Sequence, residues 1–413
     1  MEAPLADVIG WLFRSPLPDA VDTKARELLL DTLGCVIAAR RHPEVRAFGE
    51  SLEAADPGSA ASAAAAFAAA ACWDEACEGS ARAHGRPGLP VLAACHALAK
   101  LRPHTYQDVL SAYVVGYEVG GRIGESMRIG PGMHVDGAWP CFGVAAAVVR
   151  LLDGTAAQGL DAVRIAACQM PYSLYLPVAA GANARNTYLS HAAQLGMLAA
   201  SAALAGIAAP PGALEDLRSR ALANAPPGPP LAPPGDWLIS GAYLKPYAAV
   251  RHVHYGASAA IALRPEISSR LGSISRIRLE TYAEALAYCG NRAPKSLIQA
   301  QFSLSYGVAC ALATGDLGPG SYDLGDDLIR DLEARVELAE KPGLTRREAT
   351  LVVEIEGQKF ERTIDRVPGD PSLPMTRSEI LAKFARYSGL DQAAGEDFLD
   401  AAGDRRFSEV SPA

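Results

Sequence analysis

The chain has 413 residues, of which half are hydrophobic and 7% are aromatic, and its formal net charge is −8 at pH 7. This length suffices for two or more domains with a large core, whereas the negative charge argues against nonspecific binding to nucleic acid. No run of about 18 strongly apolar residues occurs, so we expect no membrane span. The first residues, MEAPLADVIGWLF, lack a basic segment and a cleavage-like site. We therefore expect no signal peptide and a cytoplasmic protein.

The first half of the chain is rich in alanine, which favours helices and close helix packing. The spacing of its apolar residues predicts helices at 3–13, 21–41, 43–56, 60–72, 91–101, 106–128, 144–152, 156–172 and 189–208. Four glycines fall within the helix at 106–128, where glycine costs stability; they are Gly116, Gly120, Gly121 and Gly124. We therefore expect this helix to pack closely against another one.

Three loops that bear histidine or arginine interrupt the predicted helices, at 74–90, 128–143 and 179–188. Polar loops on a rigid scaffold are common places for binding and catalytic residues. The first loop is the most highly charged, with Asp74, Glu75, Glu78, Arg82, His84 and Arg86. A solvated surface loop explains these charges equally well, so both interpretations stay open.

Residues 209–236 are rich in proline and glycine, which predicts a linker or an extended surface crossing. The pattern of apolar and polar residues changes after this stretch. Beyond it, alternating residues predict a strand at 277–281 and a hairpin formed by 351–355 and 359–364. Helices are predicted at 256–271, 295–314 and 326–334. The part from about 240 to 370 is therefore predicted to mix helices and strands. The tail at 376–402 is predicted to be helical and to return to the first domain.

The densest group of titratable residues follows this linker, in KPYAAVRHVHY (245–255). It holds one lysine, one arginine, two histidines and two tyrosines. Cationic and titratable groups at a boundary between two kinds of chain predict a site for an anionic small molecule.

No motif in the sequence indicates a metal or an organic cofactor. The eight cysteines are scattered without a Cys-x-x-Cys pair, so we expect buried, reduced thiols. No His-Glu-x-x-His, Walker or Gly-x-Ser-x-Gly motif occurs. The spacing of His252 and His254 suits chelation on a strand, but their neighbourhood contains arginine and few carboxylates.

Seven segments of the chain are informative when they are taken together and in order. They are DTLGCVIAAR (31–40), RPGLPVLAACHALAK (86–100), SAYVVGYEVGGRIG (111–124), MHVDGAWPCFGVAAAVVRLLDG (133–154), ARNTYLSHAAQLGMLAASAALAG (184–206), LKPYAAVRHVHYGASAAIAL (244–263) and AQFSLSYGVACALATG (300–315). In this order they resemble the MmgE/PrpD family, which includes 2-methylcitrate dehydratase, cis-aconitate decarboxylase and iminodisuccinate epimerase. The resemblance covers nearly the whole chain.

The resemblance implies a mainly α fold, with a large all-helical domain and a smaller α+β lid domain. On this chain the helical domain would comprise 1–238 and 372–413, and the lid 239–371. The resemblance also implies a homodimer without a metal or an organic cofactor, and an active site between the two domains.

Several residues match positions of the family's active site. His134 matches a histidine that acts on the substrate, and a histidine on a glycine-rich loop suits general acid–base work near neutral pH. Lys245 matches a lysine that would hold a carboxylate or a developing negative charge. Arg185 falls where the decarboxylase has a lysine and suits a bidentate carboxylate contact. Tyr306 matches a tyrosine near the substrate.

The segment after Lys245 carries further matches. Arg251, His252 and His254 match an Arg-His-x-His segment of relatives, and His254 matches best. Packing is the expected role of Tyr247 and Tyr255.

The chain departs from the family pattern in the 74–90 loop. Relatives commonly have a histidine directly before the Pro-Gly of this region, where this chain has Arg86, and His84 is a possible substitute. The aspartate and threonine of the decarboxylase fall on Cys72 and Ala76. This difference disfavours decarboxylation of cis-aconitate.

We therefore expect a cofactor-free lyase that eliminates water from a small di- or tricarboxylate, as 2-methylcitrate dehydratase does. The alternatives are an epimerase or isomerase that uses the same site, a decarboxylase, a specialised biosynthetic enzyme and a non-catalytic relative. The expected catalytic residues are His84, His134, Lys245, His254 and Tyr306. The expected substrate-binding residues are Arg86, Arg185, Arg251 and His252.

Overall fold

The computed structural model describes the whole chain, Met1–Ala413. Its first part is an array of eleven α-helices. Thr105 and Thr155 begin two of the longer ones, each through a reciprocal capping box with the residue three positions on. The helices are α1 (Glu2–Arg14), α2 (Asp19–Ala39), α3 (Pro43–Ala55), α4 (Ala60–Trp73), α5 (Gly88–Leu101), α6 (Tyr106–Ser126), α7 (Pro140–Leu151), α8 (Ala156–Ala167), α9 (Leu176–Ala180), α10 (Tyr188–Leu204) and α11 (Ala213–Arg220).

Two short strands connect this helical array to the next part of the chain. β1 (Gly79–Ser80) pairs antiparallel with β2 (Ala242–Tyr243). β1 lies in the charged loop after α4, and β2 directly precedes the segment that carries Lys245. The pairing therefore holds the charged 74–90 loop beside the segment that carries Lys245.

The next part combines helices with a four-stranded sheet of order β4-β3-β5-β6. Strand β3 (Ile274–Thr281) is parallel to β4 (Val336–Glu340) and antiparallel to β5 (Ala349–Ile355), which continues through a hairpin into β6 (Gln358–Ile364). Both hairpin residues, Glu356 and Gly357, have positive φ angles, as a tight type I′ turn requires. The helices here are α12 (Val253–Ile267), α13 (Ala283–Cys289), α14 (Leu297–Gln301), α15 (Leu304–Thr314) and α16 (Asp327–Ala334).

The buried apolar residues form two separate large cores. One contains residues between Leu5 and Ala248 and takes in the tail helices α17 (Arg377–Ser388), α18 (Gln392–Leu399) and α19 (Phe407–Val410). The other spans 249–367 and packs α12 and α15 against the sheet. We call the parts around these cores the helical region and the mixed region. None of the helices is both long enough and apolar enough to cross a membrane.

The predicted fold class, mainly α with a smaller α+β part, is confirmed. Four local predictions need correction. The predicted helix at 295–314 is two helices, because Ser303 is extended and caps α15 through its hydroxyl. The predicted helix at 376–402 is broken at Gly389, which has a φ of +73° and ends α17. Residues 209–236 contain α11, and strand β4 was not predicted.

Glycines allow α6 to lie directly against α7 and α5, as the sequence predicted. A Cβ atom added at Gly116 would lie 2.8 Å from the carbonyl oxygen of Gly143, 2.8 Å from the Cβ of Ala147 and 2.7 Å from a methyl group of Val91. A backbone oxygen cannot move aside as a flexible side chain can. Helix α7 also carries Trp139 at its N-cap, so this packing positions the loop before it.

We expect Gly116→Ala to destabilise the protein by roughly 1–3 kcal/mol, as overpacking of a close helix contact does. This loss should outweigh the better helix propensity of alanine. Gly272→Ala is the matched control, because a Cβ atom there meets nothing within 4 Å. Urea unfolding of both variants measures the effect, and equal midpoints would contradict the packing argument.

Candidate active site

A cavity of about 330 Å³ lies between the helical and mixed regions. The helical region contributes residues of the 74–90 loop, of the loop before α7 and of the segment before α10. The mixed region and the connection to it contribute residues from 243 to 252, from α13 and from the turn before β5. Six cationic side chains and three carboxylates line this cavity, which are Arg86, Arg128, Arg185, Lys245, Arg251, Arg347, Glu75, Asp136 and Glu284. The lining is therefore positive in a chain whose net charge is −8.

The turn after α4 forms one wall of the cavity, which we call the inner wall. Side chains from distant segments of the chain donate hydrogen bonds to its backbone. The Nζ of Lys245 donates a hydrogen bond to the carbonyl oxygen of Glu75 at 3.0 Å. The Nζ of Lys383, from the tail, donates to the next carbonyl oxygen, that of Ala76, at 2.8 Å. Glu75 has a φ of +54°, a strained conformation for a residue with a side chain. These two buried lysines stabilise this conformation, which turns the Glu75 carboxylate towards the cavity.

The Glu75 carboxylate is buried and contacts three cations. Its oxygens lie 2.5 Å from Nη2 of Arg185, 3.0 Å from Nη1 of Arg86 and 3.5 Å from Nζ of Lys245. Burial opposes ionisation, but Arg185, Arg86 and Lys245 together hold the pKa of Glu75 well below its usual range. Glu75 is therefore a permanent anion among the cations of the inner wall.

Asp136 is a second buried carboxylate in the same cluster. It forms an ion pair with Nη2 of Arg86 and lies 3.6 Å from Nε of Arg185. Burial opposes ionisation, but Arg86, His134 and Arg185 lower the pKa of Asp136. The two arginines thus bridge two carboxylates, and with Lys245 the inner cluster carries one net positive charge.

His134 lies beside this cluster, at the start of a short 3₁₀ turn at Val135–Gly137. The backbone N–H of Asp136 lies 3.2 Å from its Nδ1, and Nε of Arg185 lies 3.4 Å from its Nε2. A neutral imidazole has only one acceptor nitrogen, so the ring accepts one of these hydrogen bonds at a time. Burial lowers the pKa of His134 to about 4, and Arg185 and Arg86 add to that effect while Asp136 opposes it. His134 is therefore a neutral base at physiological pH.

The opposite wall carries Arg251 and His252. The guanidinium of Arg251 lies 4.8 Å from the ring centre of Tyr243, and its Nη2 contacts Asp370, while Nε and Nη1 have no acceptor. Nδ1 of His252 lies 2.6 Å from the hydroxyl of Tyr282. Burial lowers the pKa of His252 to about 3, and the charges of Arg347 and Arg251 add to that effect.

The cavity thus brings together seven of the nine residues expected from the sequence. They are His84, Arg86, His134, Arg185, Lys245, Arg251 and His252. His84 lies at the rim with a φ of +54°, and burial lowers its pKa.

His254 and Tyr306 are not part of the lining. The ring of His254 is fully buried and bonds the carbonyl oxygen of Ala249 through Nε2 at 3.0 Å. The Tyr306 hydroxyl donates to the carbonyl oxygen of Asp323 at 2.8 Å, within the core of the mixed region.

Five charged lining residues were not singled out from the sequence as site residues, namely Glu75, Arg128, Asp136, Glu284 and Arg347. Glu75 and Asp136 lie in two of the loops predicted to carry site residues. Their negative charge close in sequence to histidines and arginines could have identified them. Arg128 and Arg347 occur among other surface arginines, and nothing local distinguishes them. No three His, Cys, Asp or Glu side chains come together as a metal site would require.

We expect His134→Asn to change how stability depends on pH. The pKa of His134 is about 4 in the folded protein, against an ordinary value of 6.5, so the unfolded chain binds a proton that the folded chain does not between these values. The wild type therefore loses stability as the pH falls from 6.5 towards 4, by about 1.4 kcal/mol per unit of pKa displacement. The variant lacks this loss.

Urea unfolding at pH 8 and pH 5 measures the difference. The reference is the difference in free energy of unfolding between the wild type and the variant at pH 8, because the imidazole is neutral there in both the folded and the unfolded protein. If that difference is the same at pH 5, the account of a buried neutral His134 is contradicted.

Two family models match the chain in the same order as its two regions. The model of the MmgE/PrpD N-terminal domain matches residues 4–221, and that of the MmgE/PrpD C-terminal domain matches residues 247–400. No curated protein matches the chain significantly. The two matches together cover most of the sequence, and the chain therefore belongs to the MmgE/PrpD family.

Proposed function

We propose that this protein is a lyase that removes a proton next to a carboxylate of a small di- or tricarboxylate and expels a β-hydroxyl group as water. One observation carries the proposal, namely the buried, neutral His134 in a cavity whose lining has more cations than carboxylates. Members of the family generally act on small carboxylates, and an excess of cations suits such substrates.

His134 is the proposed base for the Cα proton. It is neutral, so one ring nitrogen carries a lone pair, which takes the Cα proton once the substrate displaces the N–H donor beside it. When the C–H bond breaks, negative charge spreads onto the adjacent carboxylate. Lys245, fixed by Glu75 at the inner wall, is placed to stabilise that charge.

The departing hydroxyl group needs a proton when its C–O bond breaks and the C=C bond forms. His84 is the proposed donor, because it lies at the rim of the cavity and can recover a proton from solvent. His254 and Tyr306 lack this access, and their bonds to backbone carbonyl oxygens support a packing role.

Epimerisation is the second candidate, and the position of His252 favours it. His134 lies on the wall of the helical region and His252 on the wall of the mixed region, and burial keeps both neutral. One histidine could remove the Cα proton as the neutral base, while the other, after taking up a proton from solvent, returns it to the opposite face.

Incubation with 2-methylcitrate, citrate and related hydroxy acids tests the proposal through the absorbance of the alkene product. We expect turnover with at least one of them. If the wild type forms no alkene from any of these acids, the dehydratase is excluded. Deuterium entering recovered substrate from D₂O without alkene formation would establish the epimerase instead.

His134→Asn should lower turnover by roughly 10²–10⁴-fold, the usual contribution of a general base. It should leave the binding of a non-reacting dicarboxylate such as malonate nearly unchanged. Arg362→Gln, a change of an exposed residue outside the cavity, is the control. Wild-type turnover by His134→Asn would remove this residue from the mechanism.

The acid side of the pH profile gives an independent check. His134 loses its lone pair only as the pH falls through about 4, so kcat/KM should hold its plateau below pH 6.5. Circular dichroism at each pH confirms that the protein stays folded. An acid limb centred near pH 6.5 in folded protein would show that the base has an ordinary histidine pKa.

A further inference from the structure

Arg347 faces the cavity without a partner. It lies in the turn between β4 and β5, and no carboxylate oxygen comes within 4 Å of its guanidinium, which makes no hydrogen bond to the protein. Arg251, which also lines the cavity, leaves Nε and Nη1 without an acceptor although both are buried. Two arginines that line the cavity thus have donors without a protein acceptor. Donors of this kind bind carboxylates well.

The neighbours of Arg347 show why it points into the cavity. Glu348 is buried, and its carboxylate accepts from Lys341 at 2.6 Å and from Arg346 at 2.7 Å. The hydroxyl of Thr281 donates to the carbonyl oxygen of Glu348 at 2.8 Å. These contacts fix the turn and hold Arg346 on the outer side, where its side chain is 67% exposed. Arg346 lies in a bend, and the two neighbouring side chains diverge there: Arg346 is exposed, whereas Arg347 lines the cavity.

The inner arginines, in contrast, are already committed to protein acceptors. Arg185 donates to Glu75 at 2.5 Å and to Asn186 at 3.0 Å. Arg86 forms ion pairs with both Glu75 and Asp136, although its Nη1, like two donors of Arg251, makes no hydrogen bond. A substrate carboxylate could bind them only by displacing a buried protein carboxylate, whereas Arg251 and Arg347 require no displacement.

The charges of the cavity also limit the substrate. Six cations face three carboxylates in the lining, and a fourth carboxylate outside the lining, that of Asp370, pairs with Arg251. Two positive charges are left. A dianion balances them, and a trianion does not.

We propose that Arg251 and Arg347 form a clamp for one carboxylate of the substrate, and that the substrate is a dicarboxylate. The clamp rests on the proposed function in that it assumes a carboxylate substrate. In this proposal, the residues that bind the substrate carboxylate belong to the mixed region. Arg86 and Arg185 become positioning residues that hold Glu75, Asp136 and His134.

Calorimetric titration with malonate and succinate tests the clamp without relying on turnover. Arg347→Gln should weaken dicarboxylate binding by about 10- to 100-fold, the usual effect of losing hydrogen bonds to a charged group. Arg347→Lys should recover only part of that loss, since lysine keeps the charge but not the planar fork. Arg362→Gln, a change of an exposed arginine of the mixed region that lies outside the cavity, is the matched control and should bind as the wild type does. Propionate, with a single carboxylate, should bind the wild type more weakly than either dicarboxylate.

The outcomes separate the clamp from the proposed function. Equal binding by the wild type and Arg347→Gln, both shown to be folded by circular dichroism, would overturn the clamp alone. Binding of citrate more tightly than either dicarboxylate would overturn the assignment of a dianion. A wild type that binds none of these acids would overturn the carboxylate substrate, and with it the proposed lyase.

Discussion

The buried carboxylate of Glu75 is the constraint on which the rest of the site depends. It contacts Arg86, Arg185 and Lys245, which come from three separate segments of the chain. Removing one partner of a buried ionic group typically costs about 3–5 kcal/mol, because it leaves a charge without compensation. The cluster therefore stabilises the contact between these segments only when Glu75 and all three cations are present. The left-handed conformation of Glu75 persists because Lys245 and Lys383 bind the adjoining carbonyl oxygens.

This cluster divides the cavity into two walls with different roles. On the inner wall, protein carboxylates satisfy the arginines, and burial keeps His134 neutral beside them. A preorganised arrangement of this kind need not rearrange when charge develops on a substrate. On the opposite wall, Arg251 and Arg347 have hydrogen-bond donors that no protein acceptor occupies. A substrate held there would have its reacting carbon between the clamp and His134, in a space enclosed by both regions.

The sequence predicted the fold class, and seven of the nine residues that it suggested for the site line the cavity, while the other two lie outside it for a similar reason. Helix α12 begins at Val253, so His252 is its N-cap and faces the cavity. His254 lies two positions further, about 200° around the helix, and points into the core. The sequence pattern recognises the histidines but not the residue at which the helix begins. Tyr306 lies in the first turn of α15, inside the same core, for a similar reason.

Glu75 and Arg347 could not be assigned from local pattern, since tertiary contacts give them their roles. Glu75 is one of several acidic residues in its loop, and only its burial among three cations distinguishes it. Arg347 differs from Arg346 only in direction, which the ion pairs of Glu348 decide. The helices, in contrast, follow from apolar spacing and capping residues close in sequence, which is why they were predicted well.

A crystal structure of the protein with malonate tests the central claim most directly, because it shows which cations the ligand selects. The account predicts a malonate carboxylate within hydrogen-bond distance of Arg251 and Arg347, while Glu75 keeps its contacts with Arg86 and Arg185. Malonate bound to Arg86 and Arg185, with Glu75 displaced, would contradict it.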